Sequence, residues 1–208
     1  MTFYPALKYR FLTPVYDPII KIVVPEKRIK QQVIDLAEPQ TGDKILDFGC
    51  GTGTLCQMLK IQNHDIDITG IDVDPEILEI ARKKAPELAF TSFDGSTLPF
   101  KTNSFDKIIS TWVFHHLNHE QKIMAFREIC RVLKPNGRFV LADWTIPQGM
   151  GQDFLFFITC MLDNFQTFKD NKEGKLPELM RKEGFHNLQE KGISKTALGT
   201  LGYWIAFK

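Results

Sequence analysis

The segment ILDFGCGTGT occupies residues 45–54. An apolar run carries one acid, Asp47, and then glycine falls at every second position, at Gly49, Gly51 and Gly53. The run reads as a strand, and residues 55–60 after it read as a helix. Glycine admits positive φ and lets another group approach the backbone without a Cβ in the way. Three glycines between a strand and a helix therefore fit two structures: a backbone-lined cradle for a ligand, or a tight turn that holds nothing.

Outward from this loop, strand-like and helix-like patterns alternate with short connections. Apolar runs at 44–48, 66–71, 88–93, 105–112 and 138–144 read as strands. Between them, 75–84 reads as a helix, with Pro75 in its first turn and Ile77, Leu78 and Ala81 on one face. A second amphipathic helix is expected over 120–133, where Ile123, Phe126, Ile129, Cys130 and Leu133 recur at helical spacing before KPNG at 134–137 stops it. This alternation predicts an α/β fold: a parallel sheet with helices on both faces. After Trp144 the pattern changes. Residues 152–168 look helical and apolar over most of the circumference, and 177–182 form a short helix. The last two strands, 186–194 and 200–207, follow each other without a helix and so predict an antiparallel pair at the sheet edge. The count is seven strands. The first 25 residues, with prolines at 5, 14, 18 and 25, read as an irregular cap before a helix over 26–36. One domain is expected over 1–208: cap 1–25, core 26–145, apolar lid 146–185 and terminal hairpin 186–208.

Composition narrows the function. Hydrophobic residues make up 43% of the 208, enough for one sizeable core. The formal net charge of +1 gives no electrostatic case for nucleic acid. Cys50, Cys56, Cys130 and Cys160 show no metal-ligand or disulfide spacing, so no metal is expected and the thiols read as reduced, in a cytoplasmic protein. There is no signal-peptide pattern and no apolar stretch long enough to span a membrane.

Parallel sheets bind ligands outside the carboxyl ends of their strands, and the chemistry-bearing residues gather at those ends. Besides the glycines there are Asp47, Asp72, Asp94, Thr111 and Trp112. A dinucleotide fingerprint needs its third glycine at position 54, but that residue is Thr54; the glycine comes one place early. Asp72 offers two acceptor oxygens that could take both hydroxyls of a ribose; the competing reading is a solvated loop aspartate. Asp94, followed by Gly95, could accept from an exocyclic adenine amine, or could simply close an Asp-Gly turn. Taken together, the set describes an adenosine pocket without a phosphate clamp.

These segments, DFGCGTG, GIDVDPEIL, FDGSTLPF, FDKIISTWVFHHL and REICRVLKPNGRFVLADW, resemble in order and spacing the class I S-adenosylmethionine-dependent methyltransferases. The likeness covers about residues 40–145 and continues to GTLGYWIAFK at the end of the chain. It is closest to the small-molecule branch that includes the ubiquinone and menaquinone C-methyltransferases, where a YD segment like that at Tyr16 precedes the fold. The resemblance implies a Rossmann-like, seven-stranded, mostly parallel sheet with an antiparallel last strand, and S-adenosyl-L-methionine as cofactor. By position, Gly49, Cys50 and Gly51 would line its methionine part, Asp72 its ribose, and Val73, Asp94 and Gly95 its adenine. Thr111 and Trp112 would sit near the methionine tail and Asp47 near the amino group, with Tyr16 closing over the cofactor.

His115 and His116 follow the fourth strand, near where the methyl group should point. Either could deprotonate a phenol or enol, or could shape the loop by bonding backbone. The expected activity is methyl transfer to a small, mostly apolar acceptor at carbon or oxygen: a quinol, phenol or lipid-like molecule. The alternatives are a non-catalytic cofactor-binding protein and a nicotinamide oxidoreductase, the latter disfavoured by the glycine register. Phe154, Phe156, Phe157, Ile158, Met161 and Phe165 suggest a lid over the acceptor, with peripheral membrane contact as another use of the same surface.

Overall fold

The structure is a computed structural model that describes residues 25–146, 165–196 and 199–208. Tyr16 and the apolar residues from Phe154 to Met161 lie outside the described residues, so the cap and the lid over 147–164 rest on sequence alone; of the rest of the segment expected as a lid, Phe168, Leu176, Leu179 and Met180 are buried in the core.

Seven strands form one sheet: β1 (Lys44–Phe48), β2 (Asp67–Asp72), β3 (Ala89–Ser92), β4 (Phe105–Thr111), β5 (Leu133–Trp144), β6 (His186–Thr196) and β7 (Gly199–Phe207). Their spatial order is β3-β2-β1-β4-β5-β7-β6. The first five pair in parallel, and β7 runs antiparallel to both of its neighbours. This is the Rossmann-like sheet expected from the alternation. The terminal strands do form an antiparallel pair, but β7 enters between β5 and β6, so β6 is the edge. β1 is central and covered on both faces, which is why it reads as a continuous apolar run rather than an alternation.

The helices are α1 (Glu26–Ala37), α2 (Thr54–Gln62), α3 (Pro75–Lys84), α4 (His119–Val132), α5 (Phe165–Lys172) and α6 (Leu176–Lys182), with a 3-10 turn at Phe114–His116. On one face, Ile45, Ile109 and Val140 pack with Ile29 and Val33 of α1, Leu55 and Leu59 of α2 and Leu78 of α3. On the other, Leu46, Ile108, Phe139 and Leu141 pack with Phe126 and Ile129 of α4 and Leu179 and Met180 of α6. The packing of α2 depends on Gly53, where a Cβ would lie 2.8 Å from Phe90 Cζ and 3.2 Å from Ala81 Cβ.

Most boundaries shift by one or two residues, and two of the differences have a visible physical cause. α4 begins one residue earlier, because Asn118 and Gln121 form a reciprocal capping box that satisfies two N-terminal N–H groups. β5 begins at Leu133, not at 138. The KPNG stretch ends α4 as expected but stays in the sheet: Leu133 pairs with Phe105, and Asn136, at φ 61°, donates its N–H to Lys208 O at 2.9 Å. Among the described residues no helix is long and apolar enough to cross a membrane.

Candidate active site

From β1 the chain turns to β2 on one side and later returns to place β4 on the other. The loops leaving β1 and β4 therefore part, and a crevice opens between them. A cavity of about 480 Å³ occupies it, within the range that holds small ligands. Its walls come from residues 47–52 after β1, 72–74 after β2, 93–95 after β3 and 111–113 after β4.

The glycines of the first loop have different jobs. At Gly49 (φ 74°) a Cβ would lie 2.2 Å from Val113 Cγ2, so this glycine lets the ends of β1 and β4 close on each other. At Gly51 (φ 52°) the nearest atom is Ile77 Cδ1 at 3.8 Å, and the residue faces the cavity. A side chain there would project into the cavity. The loop is held from β2: Ile71 O accepts from Gly49 N at 2.8 Å and Cys50 N at 3.0 Å, and Asp72 Oδ2 accepts from Gly51 N at 2.9 Å.

Asp72 also accepts from Asp74 N through Oδ1, at 3.1 Å. Its carboxylate is held by backbone N–H groups of Gly51, Val73 and Asp74 and still has acceptor capacity left. Burial raises its pKa, against the pull of those N–H groups. Asp94 is exposed; its Oδ1 accepts from Ser96 N and Oγ and from Thr97 N, which lowers its pKa and closes the Asp94–Thr97 turn at the cavity mouth. Asp47 is buried and accepts the Cys56 thiol at 3.2 Å; burial lifts its pKa to about 6.

At the end of β4, Trp112 takes φ 59°, a conformation costly for a bulky residue, and packs its ring 6.5 Å from that of Trp144. The Nε1 of Trp112 and the Oγ1 of Thr111 are buried on the cavity wall with no hydrogen-bond partner among the described residues. Buried polar groups are rarely left so. Two such groups on one cavity, beside an unfilled space over Gly51, fit a polar ligand.

The geometry separates the two histidines. His115 is buried away from the cavity. Its Nδ1–H donates to Asp143 Oδ1 at 2.9 Å, since a carboxylate only accepts. His116 lines the cavity, its ring 3.9 Å from that of His115. Burial, then the neighbouring His115, holds its pKa well below the ordinary histidine range, so it is neutral at pH 7.

Of the residues singled out in the sequence, Asp47, Gly49, Cys50, Gly51, Asp72, Val73, Asp94, Gly95, Thr111, Trp112 and His116 meet at this cavity. His115 stands behind it, and Tyr16 is outside the described residues. Among the residues missed, two stand out. Asp143 is fully buried and accepts from Val113 N at 3.0 Å, Phe114 N at 2.8 Å, Trp144 N at 2.8 Å and Asn171 Nδ2 at 3.1 Å as well as from His115. Its signal was available: like Asp47 and Asp72, it is an acid near the end of an apolar parallel strand. Lys30 of α1 also lines the cavity, and nothing in its local sequence sets it apart from other helix lysines.

The methyltransferase-domain family profile matches residues 46–141, the stretch from β1 through most of β5. Residues 46–141 are a class I methyltransferase domain. The demethylmenaquinone methyltransferase of Thermus thermophilus is 32% identical over 65% of this chain and 64% of that protein. A probable tRNA methyltransferase of Homo sapiens is 38% identical over 54% of this chain and 24% of that protein. A crystal structure of a SAM-dependent methyltransferase from Aquifex aeolicus shares the fold, with a TM-score of 0.66 at 17% identity over 92% of this chain and 98% of that one. The chain thus spans less than two thirds of the length of these curated relatives. The cofactor of the domain is S-adenosyl-L-methionine.

Proposed function

We propose that the protein transfers a methyl group from S-adenosyl-L-methionine to a small, mostly apolar acceptor at oxygen or carbon. The observation that carries this reading is the pairing of Asp72 with Gly51: a half-buried carboxylate at the end of β2, beside a cavity-facing glycine whose Cβ position meets no atom closer than 3.8 Å. In this arrangement Asp72 takes the ribose hydroxyls, Val73, Asp94 and Gly95 surround the adenine, and Gly49, Cys50 and Gly51 line the methionine part. Asp47 faces the positive end, and Thr111 Oγ1 and Trp112 Nε1 find their partners on the methionine tail.

The cofactor supplies a methyl group already activated by its positive sulfonium. The chain's own work is alignment, exclusion of water and removal of a proton. Phe48, Phe93, Trp112, Val113 and Leu117 give the cavity an apolar lining. His116, neutral and on the wall, accepts the acceptor's O–H or activated C–H proton at a ring nitrogen, while His115, fixed by Asp143, holds it in place. The demethylmenaquinone relative and the apolar lining support a quinol- or phenol-like acceptor over nucleic acid.

Calorimetry with S-adenosylmethionine tests the placement. Asp72→Ala should weaken binding roughly 10- to 150-fold, the loss of hydrogen bonds to a charged group, and Gly51→Val should abolish it. Unchanged affinity in both folded variants refutes the site. Labelled cofactor offered with quinols, phenols, lipids and RNA then identifies the acceptor class; transfer to RNA alone refutes the small-molecule reading.

A further inference from the structure

α4 buries a lysine. The side chain of Lys122 is fully enclosed, a costly place for an ammonium because burial strips its water. Its Nζ donates to Thr167 O and lies 3.6 Å from Asp170 Oδ2, both on α5. Asp170 Oδ2 also accepts from His119 Nδ1 at 3.0 Å, so the first turn of α4 grips one carboxylate of α5 twice. An apolar side chain at position 122 would hold the two helices together at least as well. What the ammonium adds is direction: it must reach a backbone carbonyl and a carboxylate at once, and that fixes where α5 lies.

α5 needs such fixing. It is 8 residues long, too short to hold as a helix alone. Its buried residues include Thr167, Phe168, Asp170 and Asn171, so the face it turns inward is largely polar. The helix packs on the 3-10 turn and on β5. There the ring of Phe168 lies 5.1 Å from that of His115. Asn171 Nδ2 donates to Trp144 O and to Asp143 Oδ1, the same oxygen that accepts from His115 Nδ1. Direct contacts therefore run from Lys122 through α5 to His115, whose ring stands against that of His116 on the cavity wall. The same contacts help to keep water from the histidine pair, and that dryness is what holds His116 neutral.

We propose that Lys122 is a positioning residue for methyl transfer: it sets α5 where Phe168 and Asn171 keep the His115–His116 pair in order. The inference rests on the role of His116 given above and reaches a residue that is not part of the cavity lining.

Lys122→Met keeps the length of the side chain and removes the ammonium. With ring-labelled histidine, NMR should show the His116 titration moving up by roughly half a pH unit or more, toward the ordinary histidine range, as water reaches the ring. S-adenosylmethionine affinity should stay within about threefold, and kcat with the acceptor found by the labelled-cofactor screen should fall roughly 10-fold while KM for the cofactor holds. Asp170→Asn keeps the shape, weakens the same grip from the α5 side and should act in the same direction. Unless the titration and kcat both move in at least one folded variant, the proposal is overturned; loss of the fold in both variants marks a purely structural pair and overturns it too. If His116→Gln leaves kcat intact, the reading of His116 fails and the proposal with it, whereas a fall in His116→Gln with no change in Lys122→Met defeats the proposal alone.

Discussion

Asp47 is a carboxylate that the fold holds at the expense of its own stability. Burial lifts its pKa to about 6 from the ordinary aspartate value near 3.8. A raised carboxyl pKa means that folding favours the protonated form. The associated stability is present below about pH 3.8 and lost as pH rises through about 6. At pH 7.5 the ionised group therefore costs about 3 kcal/mol. Asp47→Asn removes the ionisation and keeps an oxygen for the Cys56 thiol. It should raise the melting temperature of the ligand-free protein at pH 7.5 by several degrees, with the gain fading below pH 6 and gone near pH 4. It should also weaken S-adenosylmethionine, which loses a negative partner. Thermal unfolding across that pH range decides the matter; the same gain at pH 4.5 and pH 7.5 would show that Asp47 is not the titrating group. Such an exchange of stability for charge is expected of a binding site.

Asp143 joins three elements: the end of β5, the 3-10 turn at Phe114–His116 and, through Asn171, α5. Removing its carboxylate takes an acceptor from five donors, of which Asn171 Nδ2 keeps a second one at Trp144 O. Asp143→Ala should cost more than 3 kcal/mol in urea unfolding, and Asp143→Asn about half of that. Because the turn carries Val113, which closes on Gly49, cofactor affinity should fall as well; a loss under 1 kcal/mol would show that the turn stands without it. Elements also differ in how far the sequence reveals them. β1, β2 and β4 were legible because buried parallel strands read as apolar runs, and the strand ends carried most of the cavity acids. The start of α4 was not, since its capping box is a reciprocal side-chain contact rather than a periodic pattern. The start of β5 was not, since the KPNG stretch is kept in the sheet by Lys208, far away in the chain. Lys30 was invisible for a similar reason: only the direction of α1 brings it to the cavity. His115 and His116 look alike in sequence, and only the carboxylate of Asp143 tells them apart.

Across the whole molecule, the order of the sheet differs from the order of the chain. β7 follows β6 in sequence and yet lies between it and β5. As the polypeptide emerges from the ribosome, β5 and then β6 appear with the strand that must separate them still unmade. β5 meanwhile shows an open edge beside Phe139, Val140 and Leu141, and β6 has no partner within the sheet. A fragment ending at residue 196 should thus leave the amides of residues 186–196 unprotected against hydrogen exchange while those of β1, β2 and β4 are slowed; protection at 186–196 in that fragment would mean that β6 can dock without β7. The cavity lies among the strands made first, whereas the two strands beyond β5 wait for β7. Translation thus produces a nascent chain whose five binding strands precede the closing pair, with the β5 edge open to aggregation, and that interval is when a chaperone, or early binding of the cofactor, has most to protect.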